Sequence, residues 1–283
     1  MIGVDLGGTK ILAGIVDEDG TVGDTVEVVT PIESQALLVE ALAAVVEELR
    51  TPDVGAVGFA VPTRIDRRGI ALGAVNIPLA QLSLRAELGG RVGLPVGAIN
   101  DGSAAALAEH RLGAGKGARD LVMLTLGTGV GGGVVIDGRL YDGWSEVGHM
   151  VIVVDGEPCL GICTGRGHVE AYCSGTAADR IAARELGEGA TAYELVEQKH
   201  PALEQIGHYL GAAIGSLANV FDPEVFVVGG GFGLAAGELL LAPARATAER
   251  EVLPGGRRLR IVNGELGPSA GMVGAALVAF EAV

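Results

Sequence analysis

Gly3-Val4-Asp5-Leu6-Gly7-Gly8-Thr9-Lys10, running on through Ile11–Val16 to Asp17, is the stretch that decides how this chain is read. It has an echo 120 residues later, where Met123-Leu124-Thr125-Leu126-Gly127-Thr128-Gly129 runs on to Val134-Val135-Ile136-Asp137. Leu6, Gly7 and Asp17 align with Leu126, Gly127 and Asp137, and Val4, Ile15 and Val16 match Leu124, Val135 and Ile136 in kind. Each copy reads as strand, glycine turn, strand and a second turn, at Asp19-Gly20 and Asp137-Gly138. A glycine turn between strands aims several backbone N–H groups at one point, which suits a phosphate. Two such turns facing each other would hold a nucleoside triphosphate between two similar domains. Only the first carries a carboxylate, Asp5, and a cation, Lys10. Two glycine hairpins are also what an ordinary chain can contain. A third cluster, Gly229-Gly230-Gly231, lifts this chain above that background. It follows the strand Val225-Phe226-Val227-Val228, itself preceded by Asp222-Pro223-Glu224.

At 283 residues the chain has room for one large or two medium domains. Hydrophobic content of 49% and a mean hydropathy of +0.43 indicate a globular α/β protein rather than a disordered one. Aromatics are only 4%, so the core is expected to be Ala, Val, Leu and Ile. A net charge of −15 argues against a nucleic-acid surface, which needs clustered Lys and Arg. It leaves an anionic nucleotide open, because backbone N–H groups and Mg²⁺ bind phosphate locally. Met1 leads straight into a strand without a basic segment and apolar run, so no signal peptide is expected. Apolar runs are too short for a membrane span, and a cytoplasmic location is expected. The three cysteines, Cys159, Cys163 and Cys173, are odd in number and crowded together. That points to a metal or free thiols rather than a disulfide framework.

Strands alternating with helices indicate an α/β fold. Residues 1–30 read as a three-stranded meander ending in Val22–Val29, and Ser34–Arg50 has helical spacing. Strands are expected at Val54–Val61, Val96–Ile99, Val225–Val228 and Leu259–Asn263. Helices are expected at Ala104–Leu112, Gly175–Leu186, Thr191–Lys199, Ala202–Phe221 and Ala270–Ala282. The N-terminal lobe is expected over residues 1–115, joined by the C-terminal helix 270–283, with the second lobe over 116–269.

Asp5, at the end of a strand beside the glycine turn, is placed either to cap that turn or to hold Mg²⁺ against phosphates. Asn100-Asp101 lies between a strand and a helix, where both residue types are favoured N-caps. It also lies at the carboxyl end of a strand, where α/β proteins bind ligands, so Asp101 is a candidate general base. His149, Cys159, Cys163 and His168 make an N₂S₂ set of the kind zinc takes, with free cysteines in a loop as the alternative. Cys173 reads instead as a small buried residue.

Together these residues resemble the ROK family (repressor, open reading frame, kinase) over nearly the whole chain. Asp5 to Lys10 resembles its first phosphate motif, and Leu126-Gly127-Thr128-Gly129-Val130-Gly131-Gly132 its second. Asn100-Asp101 with Ala104–Ala108 and Glu109 resembles its catalytic-base segment, and Asp222-Pro223-Glu224 through Gly231 its adenosine-side motif. Glu146-Val147-Gly148-His149 with the Cys–His loop resembles its zinc signature.

The resemblance implies a two-lobed actin-like (ribonuclease-H-like) ATPase fold with a duplicated, hairpin-led domain. It implies an ATP-dependent hexose kinase, most like a glucokinase of carbohydrate metabolism and glycolysis, that phosphorylates the sugar 6-hydroxyl. Kinases for fructose, mannose or an N-acetylhexosamine are the alternatives, followed by a non-catalytic sugar-sensing regulator. Repressors of the family carry a DNA-binding segment ahead of the phosphate motif, whereas four residues precede Asp5 here.

Carried over by position, Asp101 is the catalytic base, and Asn76, Asn100, Asp101, Glu146, His149 and Glu170 meet the sugar. Asp5, Gly7, Gly8, Thr9, Lys10, Gly127, Thr128, Gly129, Gly229, Gly230 and Gly231 meet Mg²⁺–ATP. His149, Cys159, Cys163 and His168 hold a structural Zn²⁺. A homodimer or homotetramer is implied, with no nucleic-acid or membrane partner. Three departures stand out. The family loop reads Cys-x-Cys-Gly-x-x-Gly-Cys-x-Glu, whereas here the first cysteines are three residues apart and His168 takes the third position. Thr63 follows Pro62 where Gly is usual, and Ser145 precedes Glu146 where Gly is usual.

Overall fold

The computed structural model describes the chain except for Arg67, Val75, Asn76, Ile162 and Arg257. It divides into two compact units, one of Met1–Ala108 with Ser269–Val283, the other of Glu109–Pro268.

The first unit is built on β1 (Ile2–Leu6), β2 (Lys10–Val16), β3 (Val22–Val29), α1 (Gln35–Leu49) and β4 (Val57–Val61). A small ladder of β5 (Ile70–Ala71) and β6 (Leu82–Ser83) leads into α2 (Leu84–Val92), β7 (Val96–Asn100) and α3 (Asp101–Leu112). The second unit contains β8 (Leu121–Leu126), β9 (Val130–Ile136), β10 (Arg139–Leu140), α4 (Glu170–Cys173), α5 (Gly175–Glu185), α6 (Ala192–Glu197) and α7 (Ala202–Phe221). It continues with β11 (Val225–Gly229), α8 (Gly231–Ala236), α9 (Glu238–Glu251) and β12 (Ile261–Asn263). The last helix, α10 (Ala270–Phe280), returns to the first unit.

The two sheets have the same plan. The first runs β3-β2-β1-β4-β7 and the second β10-β9-β8-β11-β12. In each, a three-stranded antiparallel meander is extended by two parallel strands. The repeat seen in the sequence is therefore a duplicated topology, with one refinement. Leu6 pairs with Ile11, but Leu126 pairs with Val130, so the first glycine turn is one residue longer. The equivalence is 120 residues before the turn and 119 after it. Asp17 and Asp137, aligned by sequence, are not equivalent in pairing.

Ile2, Val4, Leu6, Val57, Phe59 and Val61 fill the first core with the apolar stripe of α1, and Val122, Leu124, Leu126, Phe226 and Val228 fill the second. Three glycines stand side by side across the first sheet, Gly3 opposite Gly58 and Gly58 opposite Gly97. A Cβ on any of them would overlap the backbone of α10, at Met272, Ala275 and Val278 in turn. The missing side chains form a trough in which α10 lies directly on the sheet.

Four helices were not legible from periodicity, and of these α4 and α8 are only four and six residues long, which leaves α2 and α9 to explain. Gly89-Gly90 weakens α2 as a helix by propensity, and Pro243 lies inside α9. α9 forms because Gly207 and Gly211 of α7 let the Leu240–Ala244 backbone approach closely. Tertiary packing there outweighs the proline penalty.

Candidate active site

In the first unit, Asp5 is the penultimate residue of β1, two before Gly7, which opens the glycine hairpin. The hairpin is closed by Gly7 N–H to Lys10 O at 2.9 Å and tied to the end of β3 by Thr30 Oγ1 to Gly7 O at 2.8 Å. Burial pushes the Asp5 carboxyl up to about 7, Asp101 adds to the rise, and Lys10 offsets part of it. Gly271, at the start of α10, leaves room for the Asp5 carboxylate, whose Oδ2 lies 2.5 Å from where a Cβ would stand. Lys10, expected to face phosphate, donates to Glu27 Oε2 of β3 at 2.6 Å across the half-exposed edge.

At the β7–α3 junction the two candidate caps divide the work. Asn100 Oδ1 accepts from Ser103 N–H at 3.0 Å and so caps α3. Asp101 opens the helix, and its Oδ1 accepts from Gly102 N–H at 2.8 Å and from Asn100 Nδ2 at 3.0 Å. Asn100 Nδ2 also donates to Thr63 O at 3.4 Å. Thr63, the departure from Gly, is buried and exchanges two hydrogen bonds with Gly73 through its hydroxyl, at 2.5 and 3.2 Å. It fastens the segment leading towards Asn76, which itself lies outside the described residues.

In the second unit, Gly127–Gly129 forms a tighter turn, closed by Gly127 N–H to Gly129 O at 3.0 Å. Gly175 N–H, at the start of α5, donates to Gly127 O at 2.7 Å. Gly230 has φ of +80° and lies so close to the Leu126 backbone that a Cβ would reach within 2.5 Å of it. The third glycine cluster, Gly229–Gly231, is therefore packed against the base of the second turn.

Glu146 precedes a 3-10 turn, Val147–His149, and accepts from Trp144 Nε1 at 2.7 Å. His149, Cys159, Cys163 and His168 converge, with one donor atom from each all within 4.8 Å of one another. His149 Nδ1 lies 3.3 Å from His168 Nδ1, Cys159 Sγ is 3.7 Å from His149 Nδ1, and Cys163 Sγ is 3.6 Å from His168 Nδ1. A tetrahedral zinc at its usual bond lengths sets N···N edges of about 3.3 Å and N···S edges of about 3.6 Å. The donor set fits such an ion despite the widened cysteine spacing. Burial pushes the Cys159 thiol up to about 11, with the neighbouring Cys163 and Glu170 adding to it. Cys173 is fully buried and apart from this group, as its small apolar character suggests. Glu170, two residues beyond His168, accepts from Val130 N–H at 2.9 Å through Oε2. No sequence signal places it there, since the contact spans 40 residues.

The ROK family model matches residues 1–282. The chain is 37% identical to a glucokinase of Streptomyces coelicolor over 99% of this chain and 97% of that one. It is 32% identical to an N-acetyl-D-glucosamine kinase of Vibrio cholerae, covering 98% of each. Among solved structures it is similar to a ROK family glucokinase from Streptomyces griseus in complex with glucose and AMPPNP. That match has a TM-score of 0.88 at 36% identity and covers 99% of each chain.

Proposed function

The chain belongs to the ROK family and has its actin-like ATPase fold, and from that premise we propose how it works as an ATP-dependent sugar kinase. The sugar it best fits is glucose, phosphorylated at the 6-hydroxyl. The observation that carries the reading is the β7–α3 junction. Asn100 takes over the cap, and Asp101 is a carboxylate held in orientation by Asn100 and Gly102, within electrostatic reach of Asp5.

Asp101 accepts the proton of the sugar hydroxyl as that oxygen attacks the γ-phosphorus of ATP. The bond to the β–γ bridging oxygen breaks, and ADP carries the electron pair away. Asp5 would hold Mg²⁺, which neutralises charge on the phosphates when bound. With Gly7 N–H and Gly127 N–H closing their turns, the backbone N–H groups of Gly8, Thr9, Thr128 and Gly129 would cradle those phosphates, with Gly229–Gly231 on the adenosine side. Lys10 reaches phosphate by exchanging Glu27 for it, an inexpensive step for an exposed pair. Asn100, Glu146, His149 and Glu170 would bind sugar hydroxyls. His149 serves two duties, because Nδ1 faces the cysteine–histidine group and Nε2 is left for the sugar. Zn²⁺ on His149, Cys159, Cys163 and His168 would be structural, since the protein fills all four positions. No described helix is long and apolar enough to cross a membrane, and a cytoplasmic location, where ATP is made available, fits the reading.

An N-acetylhexosamine is the second reading, favoured by the similarity to the Vibrio enzyme. A coupled assay of ADP release over a panel of hexoses and N-acetylhexosamines, with ATP and polyphosphate as donors, tests both. Glucose is expected to give the highest kcat/KM with ATP. Absence of ADP release with every sugar would refute the kinase reading.

A further inference from the structure

Val130 is the first residue after the second glycine turn, and both of its peptide groups are engaged by the metal-binding segments. Its N–H donates to Glu170 Oε2 at 2.9 Å. Its carbonyl oxygen lies where a Cβ of Gly148 would be, so only glycine lets the 3-10 turn lie there. Gly148 is adjacent to His149, and Glu170 is two residues from His168, two of the four converging donors. Glu170 Oε1 is also 3.9 Å from Cys159 Sγ. On the other side of the turn, the Gly129 Cα faces Glu170 so closely that a Cβ there would overlap Oε2. The same 170–175 segment ties down the turn's near end, through Gly175 N–H to Gly127 O. The turn is thus gripped at both ends by one segment, and its exit is sandwiched between the two strands of chain that carry the histidines.

We propose that Glu170 is a positioning residue for the phosphate turn as well as a sugar ligand, so that the metal-binding loop sets nucleotide affinity through Val130. The inference rests on the kinase reading. A carboxylate accepting a backbone N–H is among the stronger hydrogen bonds, and it fixes which way the remaining N–H groups of the turn point. Val130 N–H is used as an anchor and Gly127 N–H closes the turn, leaving those of Thr128 and Gly129 to meet phosphate.

The test is binding of Mg²⁺–AMPPNP to the full chain without sugar, by calorimetry, with hydrogen exchange at the Val130 amide measured in parallel. Glu170→Ala should weaken nucleotide binding about tenfold and accelerate exchange at Val130. Glu170→Gln retains an oxygen that can accept from Val130 N–H. It should stay within about threefold of wild type for nucleotide while still raising the sugar KM. Gly129→Ala, whose methyl displaces the carboxylate, should reproduce the nucleotide loss and add little in the Glu170→Ala background. Stripping the metal with a chelator should loosen the Val130 amide in the same direction as Glu170→Ala. Unchanged nucleotide affinity and unchanged Val130 exchange in a folded Glu170→Ala protein would overturn the inference and leave Glu170 a sugar ligand alone. Should that variant not fold, full additivity of Gly129→Ala with Glu170→Gln would overturn it instead. Wild type that binds no nucleotide would refute the kinase reading itself, whereas the exchange measurement reads the Glu170 contact independently of it.

Discussion

Asp5→Asn is expected to make the protein more stable and nearly inactive, and the size of the gain can be worked from the site. The carboxyl sits at about 7, chiefly through burial and secondly through Asp101. An unfolded aspartate titrates near ~3.9. Between those values the native state holds a proton that the unfolded state has lost. Stability from this group is therefore intact below pH ~4, falls as pH rises towards about 7, and is level above. The full span is on the order of 4 kcal/mol, and the part falling between pH 5 and pH 8 is about 2.5 kcal/mol. Asparagine does not titrate, so the stability difference between variant and wild type should widen in favour of the variant by that amount. Urea unfolding of both proteins at pH 5 and pH 8, with chelator and without nucleotide, measures it. Adding Mg²⁺–ATP should close part of the gap by stabilising only the wild type. A stability difference that stays constant from pH 5 to pH 8 would refute the reasoning, and would mean that Asp5 is ionised and satisfied in the free protein. A carboxylate retained at such a cost is what a functional site is expected to carry.

Asp101→Asn should lower kcat by on the order of 10²-fold or more while the sugar KM changes little, since the amide keeps shape but cannot take a proton; steady-state kinetics with wild-type kcat would make Asp101 only part of the helix start. Elemental analysis should find one zinc per chain, and zinc affinity should fall as pH is lowered from 8 to 6, because the Cys159 and Cys163 thiols must release protons to bind it. A pH-independent affinity would argue against thiolate ligation. Glu109, 1% exposed, accepts from the backbone N–H groups of Ala114, Glu265 and Leu266 at 2.8, 3.1 and 2.9 Å. Glu109→Ala orphans all three and should cost at least ~3 kcal/mol by denaturant unfolding; a loss under ~1 kcal/mol would show that water replaces the carboxylate.

What could be read from the sequence was whatever is written in consecutive residues. The meander of β1–β3, the glycine turns and the Asp-Gly turn at Asp137-Gly138 announce themselves by local chemistry, and Gly138 has the φ of +72° that its turn needs. The cysteine–histidine group was legible because its spacing is short. The strand-to-helix junction gave Asn100 and Asp101 together, but not which would cap, because both residue types can. The α9 helix was hidden because Pro243 speaks against it locally, and only the glycines of α7 explain it. The one-residue difference between the two turns was hidden because the Asp17–Asp137 identity suggested a constant offset. Lys10 with Glu27, and Glu170 with Val130, are contacts between segments 17 and 40 residues apart, and neither residue carries a mark of its partner.

The glycine trough of the first sheet has a consequence for synthesis. Gly3, Gly58 and Gly97 are made early, but the helix that fills the space above them comes from residues 270–280. Until then the nascent chain carries a sheet whose central strands are bare on one side, with backbone carbonyls of a helix still missing from their seat. The second unit, a continuous segment from Glu109 to Pro268, has all its own parts by that time and can fold first on the ribosome. The first unit is then closed last, although it was begun first. Removing the last fourteen residues, 270–283, would leave an intact second unit attached to an unfinished first one, with the glycine trough of its sheet uncovered.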